Sequence, residues 1–167
     1  MNVRNRLIAV ASLTVLMFGV GSVAQASVSA KQKVDPCAAL GAAGLGDTLG
    51  GEVGVPTPSG TDACSVSVTR TIPNGTASTN VFFSIGKYKG IAKKDVTIAS
   101  KVDGAVKIKG IKGAKLAFYD LSQKPPTATI IKGKDFLNLQ MTELEDAAAT
   151  AAALTALAKS ITTSVYT

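Results

Sequence analysis

The alternation of polar and apolar residues predicts a β-hairpin in the first half of the chain. Residues 63–71 read Ser-Val-Ser-Val-Thr at their centre, which is typical of a half-buried strand with Val66 and Val68 facing inward. The Asn-Gly pair at 74–75 is the strongest hairpin signal in the sequence. Residues 79–85 then return as the partner strand.

Further strands are expected in the second half of the chain. Residues 106–109 alternate between apolar residues and lysine as a short strand, and residues 114–121 form a longer strand that ends before a Pro-Pro pair. Residues 127–131 and 136–141 predict a second hairpin around a Lys-Gly-Lys turn. Residues 88–101 follow no single period, so we expect a short helix or a loop crossing the sheet there.

The C-terminal segment has the clearest helical pattern. Thr142 and Glu145 predict a capping box at its start, and Glu143 and Asp146 add negative charge at the positive end of the helix dipole. The helix should pack a narrow, alanine-rich stripe against the sheet. That predicted stripe consists of Leu144, Ala148, Ala151, Leu154, Ala158, Ile161 and Val165.

The segment before the first hairpin is rich in glycine. Asp35 is a favoured N-cap and Pro36 suits the first helical position, so a short helix is expected over residues 37–43. Residues 41–60 predict a mobile loop. Within them, residues 44–49 approach the pattern of a dinucleotide-binding loop but lack its third glycine and a preceding strand. We therefore expect no phosphate-binding role for this loop.

The N-terminus predicts an export signal. Two arginines precede an uncharged, mainly apolar run at residues 7–23, and small residues follow at 24–26, which suits cleavage between Ala26 and Ser27. The alternative is a transmembrane anchor, which is weaker because the run is short and ends in glycines. After cleavage we expect a protein without a membrane span, either secreted and extracellular or in the cell envelope.

The expected domain organisation follows from this signal. Residues 1–26 would be the signal peptide and residues 27–34 a disordered spacer. Residues 35–167 would form a single domain. The elements above predict an α+β fold, with an antiparallel sheet of about five strands and a short N-terminal and a long C-terminal helix packed on it.

Cys37 and Cys64 are the two cysteines of the chain. In an oxidising compartment an even pair predicts a disulfide, and the spacing is not that of a redox Cys-x-x-Cys motif. No cysteine directly follows the apolar run, which argues against a lipid anchor. Closing the loop between the two cysteines should stabilise the fold by about 3 to 4 kcal/mol.

The chain contains no histidine, which removes many kinds of catalysis. Ser-His-Asp and Cys-His mechanisms and His-containing metal sites are excluded. Ser84 and Lys87 match the Ser-x-x-Lys motif of penicillin-recognising enzymes, but they lie near the end of a predicted strand and no Lys-Thr-Gly follows. A pair of carboxylates of the glycosidase type stays open without a sequence signal for it. We expect no enzymatic activity and no cofactor.

The best functional candidate is a run of lysines between residues 87 and 115, in a chain of net charge +7. One interpretation is a solvated sheet face that discourages edge-to-edge association. The other is weak, salt-sensitive attraction to anionic lipids or polymers of the cell envelope. Nucleic acid is not expected, because aromatic residues and arginine are sparse there. The residues that define this candidate basic face are Lys107, Lys109, Lys112 and Lys115.

The order of these parts resembles a family of actinobacterial exported proteins and lipoproteins that share a domain of unknown function with an Asp-Pro-Cys…Cys disulfide. The resemblance covers residues 35–165 and implies a PsbP-like antiparallel sheet with helices packed on it and no established activity. The chain departs from the family in lacking a lipobox cysteine and in having Ser65-Val66 where an aromatic residue commonly follows the second cysteine. The residues that carry the resemblance are Asp35, Pro36, Cys37, Cys64, Gly110, Gly113, Ala114 and Gly133.

The function that these features favour is a non-enzymatic binding or interaction domain of the cell envelope. Its partner would be another envelope protein, a lipid or an anionic polymer. Two alternatives stay open, an accessory structural subunit of an envelope complex and a histidine-free hydrolase.

Overall fold

An antiparallel β-sheet forms the centre of the fold. The computed structural model describes residues 34–88, 100–101 and 103–167. The predicted signal peptide, its cleavage site at Ala26 and Ser27, and the predicted spacer up to residue 33 lie outside these residues. So does most of the segment 88–101, for which a short helix or a loop was predicted.

The described residues contribute eight strands to the sheet, in the order β1-β3-β4-β8-β7-β6-β5, with β2 also paired to β3. The α+β class with a long C-terminal helix is confirmed, whereas the prediction of about five strands was too low. The shortest strands have only two residues, too few to show a period of alternation. The strands are β1 Glu52–Val53, β2 Thr57–Pro58, β3 Ala63–Ile72, β4 Gly75–Lys87, β5 Ala105–Lys107, β6 Ala114–Asp120, β7 Thr127–Lys132 and β8 Asp135–Met141.

The first predicted hairpin is confirmed as β3 and β4. Val66 and Val68 are buried, as their alternation predicted. The turn occupies residues 73–74, because Gly75 is already paired with Ile72. Strands β7 and β8 form the second predicted hairpin around Gly133, and β8 then pairs with β4 at the middle of the sheet.

The long helix, α3, spans Ala147–Tyr166, so the predicted capping box was wrong. The hydroxyl oxygen of Thr142 accepts a hydrogen bond from the Asn80 N–H at 3.2 Å, which keeps this residue beside β4. Asp146 is the N-cap instead, and its Oδ1 accepts from the Ala149 N–H at 2.7 Å. The N-cap therefore lies four residues later than the sequence pattern indicates.

The buried face of α3 differs in part from the predicted stripe. Leu154, Ala158 and Ile161 are buried as predicted, but Ala148 is exposed because it shares a helix face with the exposed Ala152. Thr150 and Thr162 are also buried, and their hydroxyls are satisfied there because they donate to carbonyls one turn earlier. The buried residues of the helix are Thr150, Ala153, Leu154, Leu157, Ala158, Ile161 and Thr162.

The Gly-rich segment 41–60 is not simply a loop, which corrects that prediction. Helix α1 spans Pro36–Gly41, helix α2 spans Leu45–Leu49, and strands β1 and β2 follow. Leu45 and Leu49 are buried and fix α2 to the core. Gly51 is required by close packing, because a Cβ there would lie 2.5 Å from the Thr69 carbonyl oxygen.

The predicted disulfide joins α1 to β3. The side chain of Asp35 caps α1 by accepting from the Cys37 N–H at 2.8 Å and the Ala38 N–H at 3.3 Å. Cys37 is bonded to Cys64, with 5.1 Å between the Cα atoms. Leu40, on the following turn of the helix, is fully buried. The covalent bond and the buried leucine together hold the start of the domain on the sheet.

The two faces of the sheet are covered differently. The main core lies on the face that carries the helices, and it includes Ala117 and Ile130. Their chain neighbours Phe118 and Ile131 belong to a smaller apolar cluster, because adjacent strand residues point to opposite faces.

Candidate binding site at the basic hairpin

The candidate site lies on the basic hairpin, defined as β5, β6 and the loop between them (residues 105–120). β5 pairs with β6 from Ala105–Asp120 to Lys107–Phe118, and the Ile108 N–H extends this pairing by donating to the Ala117 carbonyl at 3.0 Å. Beyond this point the two arms separate into a wide loop. Among the described strands β5 is the outermost at this end of the sheet, so the hairpin is its edge.

Two glycines shape the loop of the basic hairpin. Gly110 and Gly113 have φ values of 86° and 75°, a left-handed conformation that side-chain-bearing residues rarely adopt. The register then shifts between Ala114 and Leu116, which is a β-bulge at the start of β6. Because a bulge bends a strand and redirects its side chains, the two arms of the hairpin enclose space between them.

A cavity with a volume of about 500 Å³ lies in this hairpin. This volume is within the usual range for sites that hold a small molecule. Apolar side chains and lysines both contribute to its wall. The lining residues are Ser100, Ala105, Lys107, Ile108, Lys109, Gly110, Ile111, Ala114, Lys115, Leu116, Ala117 and Phe118.

The predicted basic face is divided between two cavities. Lys107, Lys109 and Lys115 line the larger one, and all three are exposed to solvent. Lys112 lies on a neighbouring cavity of about 140 Å³, which the hairpin loop forms with β7 and α3. The lining of this small cavity is Gly110, Ile111, Lys112, Lys132, Lys159, Thr162 and Thr163. Lys132 and Lys159 are distant in sequence, so the lysine run at 87–115 gave no signal for them.

The charge around both cavities is uncompensated within the described chain. The ion pairs found there join Arg70 to Glu145, Lys87 to Asp135 and Lys124 to Glu143, each at 2.7 Å, and none includes a lysine of either cavity. Neither cavity has a carboxylate among its described lining residues. A local excess of positive charge of this kind attracts anions and raises their local concentration.

Asp120 anchors the base of the basic hairpin. Burial raises the pKa of this carboxyl, but hydrogen bonds from the hydroxyl and N–H of Ser122 and from Gln123 outweigh it and hold the pKa below its ordinary value. The Ser122 hydroxyl donates at 2.6 Å and the Gln123 amide at 3.1 Å. The Asp-x-Ser pattern is a turn signal that sequence reasoning could have used. The carboxylate stabilises the turn that follows β6.

The C-terminus is tied to the β7–β8 hairpin beside the small cavity. The Tyr166 hydroxyl lies 3.0 Å from Asp135 Oδ2, and the Lys132 ammonium lies 4.3 Å from the centre of the Tyr166 ring. Burial of the phenol, followed by its hydrogen bond to Asp135, raises the pKa of Tyr166 well above its ordinary value. Asp135 is thereby engaged with Tyr166 and Lys87, and not with the lysines of the cavity.

The Ser-x-x-Lys motif does not form a reactive pair. Ser84 is paired across the sheet with Ala63 and Asn138, and the Lys87 ammonium bonds the Asp135 carboxylate at 2.7 Å. Residues three apart on a strand point to opposite faces, which separates the two side chains. This agrees with the interpretation of the motif as a chance match.

Two further features bear on the class of site. In the part of the chain that the structure describes, no helix combines the length and the apolar character needed to cross a membrane. Across residues 34–88, 100–101 and 103–167, no three Cys, Asp or Glu side chains come together as a metal site would require.

Comparison of the chain with protein-family models, with curated proteins and with solved structures gives no match. The resemblance to the actinobacterial exported family and to the PsbP-like fold therefore stays a prediction.

Proposed function

We propose that this chain is an exported, non-enzymatic binding domain of the cell envelope, and that its basic hairpin holds an anionic amphiphile such as an acidic lipid. The observation that carries the proposal is the cavity of about 500 Å³, whose wall combines apolar side chains with lysines. The Cys37–Cys64 disulfide supports a location outside the reducing cytoplasm.

The apolar part of the cavity wall suits the hydrocarbon part of such a ligand. Ile111 and Leu116 line the cavity and are only partly buried, so they leave apolar surface open at its wall. Removing hydrocarbon from water onto this surface is favourable by roughly 25 cal/mol per Å². A purely ionic polymer would leave this apolar surface unused.

The charged part of the wall suits an acidic head group. Lys107, Lys109 and Lys115 stand on the same hairpin without a carboxylate partner among the described residues. Lysines near an anionic surface contribute about 1 kcal/mol each to its binding. The apolar side chains and the lysines of the cavity wall together favour an acidic lipid over a neutral one.

The absence of enzymatic activity is part of the same proposal. Histidine is missing from the sequence, and the described lining of both cavities contains no carboxylate that could act as general acid or base. A histidine-free hydrolase of the glycosidase type would need two such groups in one cleft.

An accessory subunit is the second candidate function, and one observation favours it. Val53 is the last residue of the edge strand β1 and Val55 follows it, with 39% and 87% of their surface exposed. An exposed apolar pair at a sheet edge is a suitable contact for another protein. Replacing both valines with threonine should then abolish co-purification of a partner while leaving lipid binding intact.

Native mass spectrometry of the protein purified from its own host tests the main proposal. We expect a retained lipid mass, and we expect the double variant Lys107→Gln, Lys109→Gln to lose it. In flotation assays the same variant should bind phosphatidylglycerol vesicles about thirtyfold more weakly, because two lysines that contribute about 1 kcal/mol each are removed. The matched control is Lys124→Gln, Lys134→Gln, which removes the same charge from exposed positions outside the cavity.

The outcome of these assays separates the possible partners. An equal loss of vesicle binding in the test and control variants would show that net charge alone causes the binding. That result would refute a site in the hairpin. Binding to soluble anionic polymer but not to vesicles would replace the lipid with a polymer. A retained protein mass instead of a lipid would favour the accessory subunit.

A further inference from the structure

The small cavity beside α3 gathers three lysines from three separate elements. Lys112 comes from the loop of the basic hairpin, Lys132 from the end of β7 and Lys159 from α3. No ion pair of the described residues includes any of them. Like charges brought together by a fold repel one another, so an anion between them would be favourable.

The backbone of the hairpin loop fits this arrangement of lysine side chains. The Lys159 Cε lies 3.7 Å from where a Cβ on Gly110 would stand, and the Lys132 Cε lies 3.8 Å from the corresponding position on Gly113. Both glycines are in the left-handed region, where a side chain would be strained. The two lysine stems therefore pass over bare backbone, and the cavity between them stays open.

The threonine hydroxyls of the cavity donate to carbonyls of their own helix. The Thr162 hydroxyl donates to the Ala158 carbonyl at 2.6 Å, and the Thr163 hydroxyl donates to the Lys159 carbonyl at 3.0 Å. Neither hydroxyl proton is then available to a bound molecule, so the ammonium groups supply the recognition. Three positive charges match a multiply charged oxyanion better than a single carboxylate.

We propose that this cavity of about 140 Å³ is a binding site for a phosphate group, held by Lys112, Lys132 and Lys159. The volume accommodates a tetrahedral oxyanion with its nearest waters and is too small for a nucleotide or a sugar chain. The site is distinct from the larger cavity, although the two share Gly110 and Ile111, and it does not depend on which ligand the larger cavity binds.

Phosphate can reach this site as the free ion or as part of a lipid head group, and two assays distinguish the sources. Inorganic phosphate is titrated into the purified protein at low ionic strength while the unfolding midpoint is measured, with chloride at equal ionic strength as reference. Vesicles of phosphatidylcholine with or without phosphatidic acid form the second assay. We expect phosphate to raise the midpoint more than chloride does, because a ligand that binds the folded state stabilises it.

The discriminating variant is Lys159→Gln, since Lys159 is exposed on α3 and its replacement should not disturb the core. The affinity for inorganic phosphate should fall about tenfold, which is the effect expected when one charge-assisted contact is lost. Lys112→Gln provides an independent second variant on the loop. Lys134→Gln, an exposed lysine outside the cavity, should bind phosphate as the unmodified protein does.

The results have separate consequences for the two sites. The Lys107→Gln, Lys109→Gln variant should retain phosphate binding even where it loses lipid. A midpoint shift equal to that in chloride, together with no added stabilisation by phosphatidic acid vesicles, would overturn the phosphate site, and so would equal phosphate affinity in Lys159→Gln and Lys134→Gln. Stabilisation by phosphatidic acid vesicles but not by inorganic phosphate would assign the phosphate to a lipid head group.

Discussion

The N-terminal segment, residues 35–60, and the basic hairpin both contain turns built on glycines with positive φ, but different forces hold them in place. The N-terminal segment is bonded to the sheet through Cys37–Cys64, and its buried leucines Leu40, Leu45 and Leu49 fill the core. The basic hairpin relies on backbone pairing and on Asp120, and it leaves space between its arms. Turns built on glycine therefore belong to the folded core in the N-terminal segment and to the candidate binding surface in the basic hairpin.

Loss of the disulfide should have the largest effect and would show how far the N-terminal segment depends on it. In the double variant Cys37→Ala, Cys64→Ala the free energy of unfolding should fall by about 3 to 4 kcal/mol, because the unfolded chain regains the entropy of the open loop. Denaturant unfolding measures this difference. A loss below about 1 kcal/mol would mean that the buried leucines alone hold the segment.

Truncation of one apolar residue in each region gives the next contrast. Leu40→Ala should lower the free energy of unfolding by about 3 kcal/mol, since the side chain is fully buried and its removal leaves a cavity. Val106→Ala, on β5, should change it by less than about 0.5 kcal/mol because 46% of Val106 is exposed. Similar losses in both variants would contradict the distinction between the regions. Thermal and denaturant unfolding of the pair provide the measurement.

Substitution of Asp120 tests whether its carboxylate stabilises the basic hairpin. Its lowered pKa means that the charged carboxylate stabilises the folded state above the ordinary value of 3.8, and that this stability is lost as the pH falls through the lower folded pKa. Asp120→Asn should lower the free energy of unfolding at neutral pH by about 2 kcal/mol, as a hydrogen-bonded charge is removed. The variant should also lose less stability than the unmodified protein below about pH 4. Asp103→Asn, at an exposed position, is the control, and an equal acid response in both variants would rule out this role for Asp120.

The lysines of the larger cavity should have the smallest effect on folding. The double variant Lys107→Gln, Lys109→Gln should unfold within about 0.5 kcal/mol of the unmodified protein, because both side chains are exposed and unpaired among the described residues. A larger loss of stability would show that these lysines maintain the hairpin structurally, and it would weaken their assignment to binding. Denaturant unfolding in low and high salt provides the check.

Features that depend on local chemistry were predicted well from the sequence. The alternation of Val66 and Val68 with polar residues predicted β3. The N-cap of α1 at Asp35 follows from the chemistry of that residue and its neighbours. The disulfide is predicted by its two cysteines once an oxidising compartment is assumed.

Features that depend on distant neighbours were missed. Helix α3 begins later than predicted because Thr142 is hydrogen-bonded to Asn80 on β4. A local capping pattern does not reveal such a contact. Strand β1 exists because Gly51 lets the chain approach β3, and α2 because two leucines reach the core. The small cavity combines Lys112 with Lys132 and Lys159 from two other elements, so a run of lysines in sequence indicated only part of it.

The central position of β4 has a consequence for the newly synthesised chain. β4 has 13 residues, and its partner β8 is made only after β5, β6 and β7. Until β8 emerges, the edge from Val81 to Lys87 has no partner on that side, and its Val-Phe-Phe-Ser-Ile sequence is of the kind that pairs with other chains. Nascent or truncated chains that end before β8 are therefore the species most prone to aggregate, and a chaperone that binds extended apolar segments would protect them by covering this edge.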